Sequence, residues 1–130
     1  MKVLNLPINS ASQAAVCVRA LRSLGVDAKC LVAGNSDYQD SADVIPMPRV
    51  DKVVRSSIYS NAKYAYQRWF KRKYVFNLIR WADVVHWNSI SALENAKDLS
   101  YAKKLGKVQV VEFWGSDVRI PSIASKGNIY

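Results

Sequence analysis

The residues best suited to bind a ligand lie where a predicted apolar strand ends, in the run Gly115, Ser116 and Asp117. Glycine lets a backbone approach a ligand closely, because it lacks a Cβ atom and tolerates positive φ. The serine and the aspartate supply hydrogen-bonding groups at the carboxyl end of a strand, where open α/β sheets bind their ligands. A simple turn that caps the next segment accounts for the same residues equally well.

Two other strand ends carry polar groups. Asn9 and Ser10 precede a predicted helix, without a glycine-rich dinucleotide fingerprint or a phosphate-loop lysine. They would hold an anion or sugar hydroxyls at the helix N-terminus, or simply cap it. Asn88 follows a second strand and is better placed to reach a ligand than His86, the only histidine. A lone histidine with apolar neighbours is more typical of a structural role than of catalysis.

A basic and aromatic segment forms a third candidate site. Its cations are Lys63, Arg68, Lys71, Arg72 and Lys73, and tyrosine, tryptophan and phenylalanine residues alternate with them. Three interpretations stay open: a core helix with a solvated basic face, a surface for anionic membranes or acidic partners, and a nucleic-acid surface.

Composition limits the remaining choices. The chain has 130 residues, one domain by size, and a formal net charge of +9 that favours anionic partners. One histidine and two isolated cysteines leave no plausible zinc site, and we expect no metal. Cys17 and Cys30 are predicted to be reduced core residues, as in a cytoplasmic protein. We find neither a membrane-spanning run nor a signal peptide.

The elements that must position these residues alternate along the chain. Strands are predicted at 2–8, 27–33, 43–46, 83–87 and 107–113, and helices at 12–24, 53–82 and 91–105. We expect an α/β fold, a Rossmann-like doubly wound parallel sheet of four or five strands with helices on both faces. The predicted strand order is 3-2-1-4-5, with the switch point between the strands that end at Ile8 and Trp87.

Apolar spacing predicts which helix positions face inward. In the first helix these are Ala15, Val18, Leu21 and, near its end, Leu24 or Val26. In the second they are Val54, Ile58, Ala62, Ala65, Trp69, Phe76 and Ile79, and they fit helical spacing only with a break near 71–73. Pro46 and Pro48 restrict the third strand to a sheet edge.

Three segments together resemble a known family. They are Asn-Leu-Pro-Ile-Asn-Ser at 5–10 leading into 19–28, Ala-Asp-Val-Val-His-Trp-Asn at 82–88, and Phe-Trp-Gly-Ser-Asp-Val-Arg at 113–119. They are similar to motifs in the N-terminal domain of retaining GT-B glycosyltransferases that use nucleotide sugars. The chain departs from that family in having Trp114 where histidine is frequent. It also lacks the family's second domain with its paired glutamates, since its only glutamates are Glu94 and Glu112.

The resemblance implies an acceptor-side domain of a glycosyltransferase. The acceptor would be a glycan or lipid, bound by Asn9, Ser10, Asn88, Gly115, Ser116, Asp117 and Arg119. Ser116 and Asp117 would bond sugar hydroxyls, while Arg119 would meet an anionic group or brace the aspartate. A second domain would bring the nucleotide-sugar donor, so the chain binds no cofactor alone and is expected to be inactive by itself; its catalytic residues are unknown.

The resemblance also implies partners and a location. The missing domain would leave apolar groups such as Trp87 and Trp114 exposed, which favours self-association or docking of a separate donor-binding chain. The basic helix would fit the inner, cytoplasmic face of a membrane. The rival function is a small basic binding module for nucleic acid or a protein partner, without catalysis; nucleic acid is the less favoured partner.

Overall fold

The computed structural model describes residues 1–34, 42–51 and 57–113. The strands in these ranges are β1 (Lys2–Leu6), β2 (Asp27–Val32), β3 (Val44–Pro46), β4 (Val84–Asn88) and β5 (Val108–Glu112). The helices are α1 (Gln13–Ser23), α2 (Ile58–Trp81) and α3 (Lys97–Lys104). Single 3-10 turns at Ser10–Ser12 and Glu94–Ala96 lead into α1 and α3.

All the strand pairs are parallel, and the sheet order is β3-β2-β1-β4-β5. The Rossmann-like α/β class and the strand order are therefore confirmed. Leu4 of β1 lies opposite Lys29 of β2 and Val85 of β4. Strand β1 is therefore the middle strand, with β2 and β3 on one side and β4 and β5 on the other. Strand β3 is at the edge, as its prolines predicted.

Helices cover both faces of the sheet, as predicted. On one face, Val3 and Cys30 pack in a core with Val18 of α1. On the opposite face, Leu4 and its neighbours pack against α2 and α3. The buried members of that second core are Leu4, Leu6, Leu31, Met47, Val75, Ile79, Ala82, Val85, Trp87, Ala92 and Ala102. The alternation follows from the period of two along each strand.

Helix α1 follows its sequence pattern. Ala15 and Val18 are fully buried, and Leu21 and Val26 pack against the same core, whereas Leu24, the alternative to Val26, is 79% exposed. Leu24 is the C-cap residue of α1, and Gly25 follows in the left-handed region with φ of 77°. The chain has therefore left the helix at Leu24, and the inward direction no longer applies to it.

The predicted break in the second helix is wrong, because α2 runs without interruption over 24 residues. Ser57 and Ser60 form a capping box at its start, and Tyr66, Phe70 and Tyr74 contact one another at helical spacing. A break would be needed only if all the apolar residues had to face the sheet. They do not: Ile58 and Trp69 are 91% and 55% exposed, and Ala62 and Ala65 are exposed as well. Val54 lies outside the described residues.

The length of α2 exceeds that of the strands. Its 24 residues measure about 36 Å, whereas the five residues of β1 or β4 measure about 17 Å. The buried positions Val75 and Ile79 lie in its C-terminal half. That half is also joined to α3, where Phe76 stacks on Tyr101 with ring centroids 3.9 Å apart. The N-terminal half consequently extends beyond the carboxyl edge of the sheet. No helix in the described ranges is long and apolar enough to span a membrane.

Strand β5 lies within the strand predicted at 107–113, and all five of its residues are exposed although three of them are valines. Val108 and Val110 are 59% and 43% exposed on the face that α1 shares. The reason is its position: β5 is the last strand of the described sheet, and α1 packs over β1 and β2 instead.

Two isoleucines of α2 test its division into an anchored and a projecting half. Ile79→Ala should lower the free energy of unfolding by about 2–4 kcal/mol, because it leaves a cavity in the core. Ile58→Ala, the matched control on the same helix, should change it by less than about 0.5 kcal/mol. Urea unfolding followed by circular dichroism measures both values, and equal losses would contradict the division.

Candidate functional site

The loops after β1 and β4 meet at the carboxyl edge of the sheet. Asn88 Nδ2 donates a hydrogen bond to the carbonyl oxygen of Ile8 at 3.3 Å. Asn9 follows Ile8 and accepts a hydrogen bond at Oδ1 from the backbone N–H of Ala15 at 3.1 Å. The structure therefore brings Asn9, Ser10 and Asn88 to one place, at the predicted switch point.

These three side chains have different tasks there. Asn9 and Asn88 are buried and hold the β1 loop against α1 and β4. Ser10 is partly exposed, and its hydroxyl has no hydrogen-bond partner among the residues that the structure describes. The two amides therefore position the loop, and the serine hydroxyl is the group free to meet a ligand. Gly115, Ser116, Asp117 and Arg119, together with Trp114, lie outside the described residues, and their assignment stays a prediction.

Backbone strain is concentrated at the same edge. In the part of the chain that the structure describes, five non-glycine residues have positive φ, between 47° and 68°: Ala11, Ser12, Ser89, Asn95 and Ala96. All of them lie in the loops after β1 and β4. A non-glycine residue in the left-handed region costs about 1 kcal/mol or more, and such strain accumulates at functional sites. The strained backbone thus coincides with the switch point, where the sheet topology favours ligand binding.

Asp98 holds the β4 loop in place, although nothing in the amino-acid sequence marks it for this role. Its fully buried carboxylate accepts hydrogen bonds from Trp87 Nε1 at 2.8 Å, from the N–H of Ala92 at 2.7 Å and from the Ser91 hydroxyl. In the sequence it is an ordinary acidic residue near the middle of the helix predicted at 91–105, whereas α3 begins only at Lys97. Because Asp98 satisfies the indole and the core covers the ring, Trp87 is only 1% exposed. The expectation that Trp87 is an exposed apolar group is therefore wrong.

His86 lies apart from this edge, on the face that α1 covers. Its Nε2 atom is 3.2 Å from Glu112 Oε2 but is not aligned for a hydrogen bond. Opposite it on β1, the buried side chain of Asn5 also has no hydrogen-bond partner in the described ranges. No described residue links His86 to the loops of the switch point by a hydrogen bond. We therefore leave the histidine out of the candidate site.

The two cysteines are free and lie on this same α1 face. Burial, with the nearby Cys17, raises the pKa of Cys30 to about 12. Burial also raises the pKa of Cys17, and the carboxylate of Glu112 adds to the effect. Both thiols are thus protonated at neutral pH, which makes them poor nucleophiles and poor metal ligands. No group of three or more histidine, cysteine, aspartate or glutamate side chains suited to a metal occurs in the described ranges.

The structure separates the five cations of the basic segment. Arg68, Lys71 and Arg72 line a cleft of about 300 Å³ between α2 and the segment that leads into α3. Lys63 forms an ion pair with Asp51 at 3.0 Å, and Lys73 lies over the Trp69 ring at 5.0 Å. The sequence pointed to the cations of α2 but not to their neighbours in the cleft, Glu94 and Lys97. Only the packing of α2 across the sheet brings these together.

Comparisons of the chain with protein-family models, with curated proteins and with solved structures find no match.

Removal of the Asp98 carboxylate tests its role in holding the β4 loop. Asp98→Ala should lower the free energy of unfolding by about 2–4 kcal/mol, because the indole and a backbone N–H lose their buried acceptor. Asp27→Ala, at an exposed position, serves as the control. Chemical denaturation measures stability, and hydrogen exchange of the 89–96 amides should quicken in the Asp98 variant alone. Unchanged exchange there would show that the loop does not depend on Asp98.

Proposed function

We propose that this chain is the acceptor-side domain of a glycosyltransferase of GT-B architecture that uses a nucleotide-sugar donor. The observation that carries the proposal is the meeting of Asn9, Ser10 and Asn88 at the switch point of a parallel sheet. Short polar side chains on a rigid sheet edge suit sugar hydroxyls, which both donate and accept hydrogen bonds. The similarity of the motifs at 5–10, 82–88 and 113–119 to that family supports the same function.

In this proposal the two asparagines fix the loops before the acceptor arrives. Their buried hydrogen bonds to Ala15 and Ile8 hold the Ser10 hydroxyl in a set position, which lowers the entropy lost on binding. Ser116, Asp117 and Arg119 would add further contacts from the loop after β5. Transfer would require a second domain that holds the nucleotide sugar and the acidic pair, supplied by another chain or by further sequence. A site between two domains excludes water when it closes on the donor.

We assign the domain to the cytoplasmic face of a membrane, as a peripheral protein. The outward side of α2 supports this, since Tyr66, Trp69 and Phe70 are exposed there and their rings contact one another. Lys63 and Lys73 flank them. Aromatic rings at the headgroup boundary with cations among the phosphates are typical of helices that lie on anionic membranes. We call Tyr66, Trp69 and Phe70 with Lys63 and Lys73 the aromatic face.

Sugar binding can be tested on the chain by nuclear magnetic resonance. Octyl glycosides of glucose, galactose, mannose and N-acetylglucosamine serve as acceptor probes, and UDP-glucose serves as the donor probe. At least one glycoside should shift the amide signals of 9–12 and 88–91, whereas UDP-glucose should not. Ser10→Ala should weaken that binding about fivefold, the value of one hydrogen bond.

The matched control for this experiment is Ser100→Ala, at an exposed position on α3, which should bind like the wild type. If no glycoside shifts these signals, or if UDP-glucose shifts them instead, the chain is not an acceptor-side domain.

Membrane docking can be tested by sedimentation with vesicles of phosphatidylglycerol or of phosphatidylcholine. The protein should bind the anionic vesicles, and Lys73→Gln should lower partitioning about fivefold, as expected for one cation near an anionic surface. Phe70→Ala should also weaken binding, while Lys103→Gln and Leu24→Ala, at exposed positions away from the aromatic face, should have little effect. Tighter binding to duplex DNA than to vesicles at each salt concentration would favour the nucleic-acid module instead.

A further inference from the structure

We infer that the cleft between α2 and the start of α3 is a binding site for a phosphate-bearing ligand with at least two negative charges, such as a phosphomonoester or a diphosphate. The cleft has a volume of about 300 Å³ and lies beside the middle of α2. The inference stands on its own residues and does not require that the chain takes part in sugar transfer.

Positive charges outnumber negative charges in the cleft. Among the described residues that line it, four are cations, namely Arg68, Lys71, Arg72 and Lys97, and one, Glu94, carries a carboxylate. Glu94 pairs with Arg68, and no other described carboxylate lies within ion-pair distance of these cations. Three positive charges thus stay uncompensated within the described residues. A concave wall of like charges focuses an attractive potential on an anion, and more strongly on a dianion than on a monoanion.

The two guanidinium groups are held in place before any ligand binds. Arg68 Cζ lies 5.5 Å from the centroid of the Tyr64 ring, and Arg72 Cζ lies 5.1 Å from that of Phe76. Arg68 also forms an ion pair with Glu94. A planar guanidinium fixed in this way can present two N–H groups to two oxygens of one phosphate. Less side-chain entropy is then lost on binding than with free lysines alone.

The remaining walls suit an organic group attached to the phosphate. Trp69, Leu93 and Val50 supply apolar surface, with the indole of Trp69 more than half exposed. The volume is at the lower end of that of small-molecule sites, enough for a phosphate and one ring. In addition, α3 begins at Lys97, and its N-cap residue Ala96 offers no side-chain acceptor to the first N–H groups. The buried carboxylate of Asp98 lies in the first turn of that helix and offsets the positive end of its dipole, so the attraction for an anion comes from the four cations.

Isothermal titration calorimetry with inorganic pyrophosphate tests the site on the whole chain. Wild-type protein should bind pyrophosphate, and Arg72→Gln should weaken binding about tenfold, because a charge-assisted bidentate contact is lost. Glu94→Gln should tighten it severalfold, because the one competing carboxylate is removed. Circular dichroism should show both variants folded, since each changes an exposed side chain.

Matched controls separate a built site from a diffuse basic surface. Lys103→Gln and Asp27→Asn change the net charge by the same amounts at exposed positions outside the cleft. Each should leave the affinity for pyrophosphate unchanged within about twofold, because exposed charges at this distance are screened. Absence of pyrophosphate binding by the wild type would overturn the inference. So would equal effects of Arg72→Gln and Lys103→Gln.

The source of the phosphate, a lipid headgroup or a free phosphorylated compound, can be distinguished by competition. Vesicles with phosphatidic acid present a phosphomonoester, whereas those with phosphatidylglycerol present only a diester. If pyrophosphate displaces the protein from the first but not from the second, the cleft accepts a lipid headgroup. If pyrophosphate displaces the protein from neither kind of vesicle and still binds in calorimetry, the ligand is a free phosphorylated compound. In both cases the Arg72→Gln effect on pyrophosphate must persist, and its loss would overturn the site.

Discussion

The parallel pairing of β4 with β1 is the constraint on which the rest of the structure depends. After β3 at one edge of the sheet, the chain must return past β2 and β1 before it can form β4, and only a crossover on the face opposite α1 allows this. The crossover is α2. It brings the loop after β4 next to the loop after β1, although 80 residues separate Ile8 from Asn88. Two short loops with strained backbone and buried amide contacts thereby become one polar edge.

The length of the crossover helix α2 has a second consequence. Half of α2 is enough to cover the sheet, and that half contains its buried residues. The other half has no buried residue, so its aromatic residues face solvent or one another, while the α2 cations of the cleft, Arg68, Lys71 and Arg72, lie around the middle of the helix. The hydrophobic effect therefore fixes where α2 lies, whereas electrostatics decides what its projecting half attracts. Substitutions in the two halves should accordingly affect different properties of the protein.

The fold class, the strand order and the switch point could be predicted from the sequence. Short apolar runs alternate along the chain with segments of helical spacing, and crossovers between parallel strands are right-handed. The residues wrongly assigned to the inward face have a common cause of error. Ile58, Ala62 and Trp69 were assigned to the inward face of α2 by their apolar spacing, but burial depends on whether that part of an element is covered, and that is a property of the whole fold. Asp98 was missed for the converse reason, since a charged residue is fully buried only when its partners satisfy it. Its partners Trp87 and Ala92 come from another strand and loop. For the same reason the cleft required the packing of α2 against Glu94 and Lys97.

The exposure of β5 has a consequence for how the sheet opens. Each of its five residues is exposed, so its detachment uncovers less apolar surface than detachment of a buried strand would. It is attached by its hydrogen bonds to β4 and by contacts with α3. Local opening at β5 should therefore cost far less free energy than global unfolding, whereas β1, with buried side chains on both faces, should open only with the entire domain. Local stability therefore decreases across the sheet from β1 to β5.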